Sequence, residues 1–317
     1  MGSVRALVCP PPFLPERDMP DLTGKITLVT GGNTGIGYQT VKQLLLKNAT
    51  VYLAARTPER AAAAIAQLER ETKRTAVFLQ LDLADLRSVR KAAEAFLAQE
   101  ARLDILFNNA GVMNCPPEKV TAQNHDLQFG TNVIGHFFLT ELLIPALTKS
   151  FEATQVPARV LTTSSIGHQL APGNGIDFVS LKGGPERDAW LKTTGSGLAG
   201  SWRLYGESKM GNVFMSNYFA AKYAGVLVSC AVHPGPIKSE LGRDSPMYLR
   251  AVSTLLFYPA PMGAYTQLWG ATVATPAEIN GQFLVPFGKV GKADARAADA
   301  AVQERVIAYI REQVEGF

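Results

Sequence analysis

The sequence predicts an α/β protein built on one doubly wound parallel sheet of about seven strands with helices on both faces. Three features carry that reading. Short β-branched runs alternate with longer stretches of helical apolar spacing from Lys25 onward. A glycine-rich turn, Gly31-Gly-Asn-Thr-Gly35-Ile-Gly37, joins the first of those runs directly to the first of those helices. Near the start of a long helical stretch, Tyr205 stands four residues ahead of Lys209.

At 317 residues the chain can bury a substantial core, as one large domain or two small ones. A hydrophobic fraction of 47% against a charged fraction of 18% excludes extensive disorder. The net charge of +4 is spread among acids, so no block of cations marks a nucleic-acid footprint. Cys9, Cys115 and Cys230 are widely separated, with neither metal-ligand spacing nor a Cys-x-x-Cys pair, so no disulfide or metal site is expected. That usage fits a reducing compartment.

Residues 1–20 are set apart as a Pro-rich arm, because Cys9-Pro-Pro-Pro-Phe13 and Pro15 forbid a regular helix or central strand. Its apolar piece is too short for a signal-peptide core or an anchor, and no later segment reads as an uninterrupted membrane span. A cytoplasmic location is the expectation, with 21–317 as the folded domain.

The first strand is Ile26-Thr-Leu-Val-Thr30, and the glycine turn follows at once, leading into the spacing of Val41, Leu44 and Leu45. Strand, glycine turn and helix together suit a pyrophosphate, which a tight backbone can approach and a helix N-terminus can stabilise. The second strand, Thr50-Val-Tyr-Leu-Ala-Ala55, ends at Arg56 where an NAD enzyme would commonly carry an acid for the ribose hydroxyls. A guanidinium suits a 2′-phosphate instead, so NADP(H) is expected in preference to NAD(H).

Helical spacing resumes over 59–70. Strand-like runs then end at Asp82-Leu83 and at Asn108-Asn-Ala-Gly111, and Asp85 reads as a helix N-cap. A helix over about 124–148 holds Asn132 in its interior, where propensity gives no reason for an asparagine. The strand Ala158-Arg-Val-Leu-Thr-Thr163 runs into Ser164-Ser165. On a helix from 203 to 224 the i, i+4 spacing brings Lys209 toward the phenol of Tyr205. A nearby cation favours the phenolate and draws its pKa down from about 10. Tyr218 and Lys222 repeat the spacing about 20 Å further along the helix, away from the ligand-binding edge, and read as packing and a solvated charge.

Taken together, these ordered motifs resemble the short-chain dehydrogenase/reductase family, over roughly residues 22 to 290. Gly-x-x-x-Gly-x-Gly is that family's form of the glycine turn, and its fold is of Rossmann type. The resemblance implies a cofactor site of Gly31, Asn33, Gly35, Ile36, Gly37, Arg56, Asp82, Leu83, Asn109, Tyr205, Lys209, Ile237 and Ser239, with Asp82 and Leu83 against the adenine and Asn109 in the floor. It implies catalysis by Asn132, Ser165, Tyr205 and Lys209. Tyr205 exchanges the proton, Ser165 holds the substrate oxygen with Ser164 as the alternative, and Lys209 lowers the Tyr205 pKa and holds the ribose. Asn132 positions a relay water. None of the four histidines forms a hydrolase motif, and each is given a structural or substrate-lining role.

The chain departs from many family members in a long 166–204 insertion, punctuated by Pro172, Gly183-Gly-Pro185 and Gly197 and expected to be mostly loop. In this it is similar to retinol dehydrogenase-like and protochlorophyllide reductase-like members. The apolar stretch 240–262 reads as a substrate lid or, equally, a subunit contact. The implied activity is hydride transfer between NADP(H) and a lipophilic ketone, aldehyde or secondary alcohol, such as a terpenoid, polyketide, retinoid or steroid, in secondary metabolism. A carbon–carbon double-bond reductase and an NADPH-binding sensor are the other readings. A homodimer or homotetramer through the helices at 124–148 and 203–224 is the default assembly.

Overall fold

The computed structural model describes residues 12–194, 196–238 and 257–317. Within them the chain winds one eight-stranded sheet in the order β3-β2-β1-β4-β5-β6-β7-β8. The strands are β1 (Ile26–Thr30), β2 (Thr50–Ala55), β3 (Val77–Gln80), β4 (Ile105–Asn108), β5 (Ala158–Thr163), β6 (Leu227–Val232), β7 (Phe283–Val285) and β8 (Lys289–Gly291). The first seven pair in parallel; β8 folds back antiparallel on β7, pairing Leu284 with Val290. This eighth strand exceeds the seven expected, because three residues are too few to show a period.

Strand β1 pairs with β2 on one side and β4 on the other, with Leu28 opposite Tyr52 and Leu106. The winding direction therefore reverses between β1 and β4, which opens a crevice at the carboxyl ends of those strands. Alternate strand residues feed two cores. Leu28, Leu106 and Val160 pack on one face with Phe137 and Phe214, whereas Val29, Phe107 and Leu161 pack on the other with Leu44 and Leu268.

Helices α2 (Gly35–Leu46), α3 (Pro58–Thr72) and α4 (Leu86–Leu97) follow the first three strands. Asp85 caps α4 by accepting the Arg87 N–H. Helix α5 runs over Leu127–Thr154 and is interrupted by a π turn at Gly130–Ile134. By length and composition α5 could cross a membrane, yet 78% of its apolar window is buried inside the fold, so it serves as a core helix. The catalytic-motif helix α7 spans Gly197–Lys222 and begins earlier than the spacing predicts, because Gly197 at φ +59 turns the chain into it. Helix α8 (Ala260–Thr272) backs the second core, and α10 (Ala300–Val314), following a short turn of helix α9 (Pro276–Ile279), closes the first.

Residues 12–20 lie on the fold, not free of it. A short helix α1 (Pro15–Asp18) is flanked by buried Phe13 and Met19, and Phe13 meets Tyr265 edge-on at 6.4 Å. The rest of the arm, Ser239, and residues 240–256 of the anticipated lid fall outside the described residues.

The 166–204 insertion differs from the expected loop. It folds as a 3₁₀ turn at Ile166–Leu170, another at Phe178–Ser180 and helix α6 (Pro185–Thr193) before α7 begins. Pro185 starts α6, a position where its missing N–H costs nothing. Arg187 is 2% exposed, donates to the Ser180 carbonyl at 2.8 Å and reaches Asp126 at 3.0 Å and the Pro117 carbonyl. Trp190 donates to Asp177 at 2.8 Å. Buried polar anchors order this segment where periodicity alone gives no signal.

Candidate active site

The glycine turn sits at the β1 end of the crevice. Gly31 and Gly35 take φ of +66° and +55°, which L side chains rarely adopt. A Cβ on Gly37 would lie 2.2 Å from the Gly31 carbonyl oxygen and 2.6 Å from Asn109 Nδ2, so only glycine fits. Thr34, at the N-cap of α2, makes no side-chain cap, leaving first-turn N–H groups facing a tight backbone turn. Asn33 and Ile36 are half-buried there, and Ile36 packs on Gly263.

Thr30 braces this turn, a role its identity as an ordinary strand former could not announce. Its hydroxyl accepts the N–H groups of Asn109 and Ala110, each at 2.9 Å, and lies 2.9 Å from His136 Nε2. Asn109 Nδ2 in turn donates to the Thr30 carbonyl. At the far end, Arg56 is exposed just past β2. Asp82 accepts the Ala84 N–H and shapes its own loop, while Leu83 is buried against Gly135, just past the π turn. On the β6 side, Ile237 is buried and forms a parallel bridge with Tyr258.

Ser165, Tyr205 and Lys209 converge at the end of β5. The Ser165 hydroxyl faces the Tyr205 phenol and accepts the Gly167 N–H at 3.0 Å. Gly167 packs so closely that a Cβ there would stand 2.9 Å from Tyr205 Cε1. Ser164 is a different kind of residue: it is 1% exposed, and its hydroxyl donates to the Lys209 carbonyl at 2.7 Å. The structure thus separates the two serines, one facing the phenol and one pinning α7 to β5. Ser165→Ala is expected to cut turnover by about 10²- to 10³-fold, the scale of losing one aligned hydrogen-bond donor. Ser164→Ala should instead lower stability by about 1 kcal/mol with turnover largely kept, read by steady-state rates beside thermal melts.

Lys209 Nζ donates to the Thr163 carbonyl at 2.8 Å and lies 5.7 Å from the centre of the Tyr205 ring. Burial pushes the lysine down to about 7 and the phenol up to about 12. Desolvation of the phenol outweighs the downward pull of the Ser165 hydroxyl beside it.

Asn132 lies within the π turn. Its Oδ1 accepts the Val112 N–H, and its Nδ2 donates to the Val112 carbonyl and to Ser208. The amide therefore ties the loop after β4 to α7 beside Lys209. The second Tyr-x-x-x-Lys pair lies at the other end of α7, where Tyr218 meets Arg311 and Lys222 pairs with Glu141 at 3.5 Å.

The histidines are framework. Burial lowers all four, with His125, His136 and His233 near about 4, so they are neutral near pH 7. His168 takes the Asp294 N–H at 2.8 Å, and His233 accepts the Ile166 N–H. The Tyr205 phenol, pushed up by its own burial, is protonated near pH 7.

The chain is similar to known proteins in sequence and in fold. The short chain dehydrogenase family model matches residues 25–183. A short-chain dehydrogenase/reductase of Armillaria gallica is 43% identical over 322 residues, covering 100% of both chains. Retinol dehydrogenase 12 of Mus musculus is 37% identical over 268 residues, covering 83% of this chain and 78% of its own. Among solved structures, the NADP active-site complex of Pseudomonas aeruginosa RhlG superposes with a TM-score of 0.64 at 25% identity, covering 84% of this chain and 96% of that one.

Proposed function

The chain belongs to the short-chain dehydrogenase family and is an oxidoreductase, and from that premise we propose that it moves hydride between NADP(H) and a lipophilic ketone, aldehyde or secondary alcohol. The observation that carries this reading is the Ser165–Tyr205–Lys209 cluster at the same sheet edge as the glycine turn. The residues fit a dinucleotide: Gly37 keeps the turn open to close approach, the N-terminus of α2 offers uncapped N–H groups, and Arg56 stands at the end of β2.

Bound nicotinamide supplies or accepts the hydride. In the reducing direction Tyr205, protonated at neutral pH, donates its proton to the carbonyl oxygen. Ser165 is a preorganised donor to that oxygen as negative charge develops. Lys209, held by the Thr163 carbonyl, fixes the floor beneath the phenol and is the group placed to hold the nicotinamide ribose. Asn132 holds the Val112 backbone, which keeps the wall opposite α7 in place. Lipophilic substrates are favoured by the exposed apolar side chains beside Tyr205 and by the likeness to a retinol dehydrogenase.

Arg56 decides between cofactors. Charge-assisted hydrogen bonds contribute about 1.5–3 kcal/mol, so Arg56→Ala should weaken NADPH binding by about 10- to 100-fold. NADH binding should hardly change. Fluorescence titration of both cofactors checks this, and equal effects on the two would return the preference to NAD(H).

A further inference from the structure

Helix α7 reaches beyond the catalytic pair, and its outward turns carry an apolar stripe. Leu198, Trp202, Tyr205 and Lys209 follow at spacings of four, three and four, so they share one face of the helix. Tyr205 and Lys209 are buried at its inner end. Trp202 is half-buried and meets Tyr205 edge-on, with ring centres 5.9 Å apart at 84°. One turn further out Leu198 is 40% exposed. Ile166, between the two residues that touch the phenol, is 52% exposed. The stripe extends about 10 Å from Tyr205 to Leu198 at 1.5 Å per residue.

We infer that Trp202 and Leu198 form a rail for the hydrocarbon portion of the carbonyl substrate, with Trp202 as the specificity-determining residue. This inference rests on the hydride-transfer reading above and adds to it the substrate's shape. The carbonyl lies at Ser165 and Tyr205, and an extended apolar chain or ring system runs outward along α7. An indole offers a rigid apolar body at low entropic cost, which suits it to such a wall. Short ketones bind only at the carbonyl end and gain nothing from the rail.

The test is calorimetric binding of unbranched methyl ketones of increasing length, from 2-butanone to 2-decanone, to the full chain saturated with NADP+. Oxidised cofactor and ketone cannot react, so binding is measured apart from turnover. In the wild type Kd should fall about fourfold per added methylene. Trp202→Ala should reduce that dependence to less than about twofold per methylene, with NADP+ affinity and 2-butanone binding unchanged. Trp202→Phe should restore part of it, and Leu198→Ser should flatten it only for the longer ketones. A length dependence identical in wild type and Trp202→Ala, or none in the wild type, would overturn the rail while leaving the hydride-transfer reading intact. Failure of NADP+ itself to bind would sink both.

Discussion

Replacing Tyr205 by phenylalanine removes turnover and leaves NADPH binding largely intact. One positioned proton donor contributes about 10²- to 10⁴-fold, so the rate should fall at least that far. The ring remains to pack on Gly167 and Trp202, and only the hydroxyl facing Ser165 is lost. Stopped-flow or steady-state rates beside a cofactor titration distinguish the two effects. The direction of the pKa shift adds a second signature. Because burial holds the phenol near about 12, its acid form dominates at neutral pH, which favours reduction. Alcohol oxidation needs the phenolate, so its rate should climb about tenfold per pH unit through the neutral range. Tyr218→Phe, at the distant end of the same helix, should change neither quantity.

The second large effect is on stability. Removing Arg187 leaves the Asp126 carboxylate buried without its cation, and breaking a pair of that kind costs about 3–5 kcal/mol. Asp126 also caps the start of α5 by accepting the Gln128 and Phe129 N–H groups, so the damage should spread toward the π turn that holds Asn132. Arg187→Lys should recover only part of the loss, since an ammonium cannot reproduce the three-way fork to Ser180, Pro117 and Asp126. Burial already holds Asp126 up at about 6 against the pull of the backbone N–H groups and Arg187. Without the guanidinium that carboxyl rises further. The charged form is then the costly one, so the penalty of Arg187→Ala should be largest above about pH 6 and shrink as acid neutralises Asp126. Chemical denaturation of both proteins across that range provides the check.

The residues that chemistry requires at fixed spacing were the ones legible in the sequence. The glycine turn announces itself because nothing but glycine survives at Gly37, and Tyr205 and Lys209 are one helical turn apart whatever surrounds them. Parallel winding followed from short buried strands alternating with helices. The insertion was misread because Gly183-Gly-Pro185 looks like loop punctuation, whereas Pro185 in fact begins a helix. Arg187 gains its role only when the fold brings Asp126 and Pro117 to it from a distant part of the chain. Thr30 escaped notice for the same reason, and so did the partner of His136: their bonds join β1 to the loop after β4 and to α5, and no local pattern encodes such a meeting. The resemblance favours Ser165 over Ser164, and the structure adds what each touches: Ser165 faces the phenol, whereas Ser164 donates to the Lys209 carbonyl.

The most direct test of the account follows the hydride itself. NADPH carrying deuterium at the transferred C4 position is incubated with the enzyme and a panel of lipophilic ketones and aldehydes, and the products are examined by mass spectrometry. The account predicts secondary or primary alcohols with deuterium on the former carbonyl carbon, formed by the wild type and not by Tyr205→Phe. Deuterium on a reduced carbon–carbon bond, or equal labelling by the Tyr205→Phe variant, would contradict it.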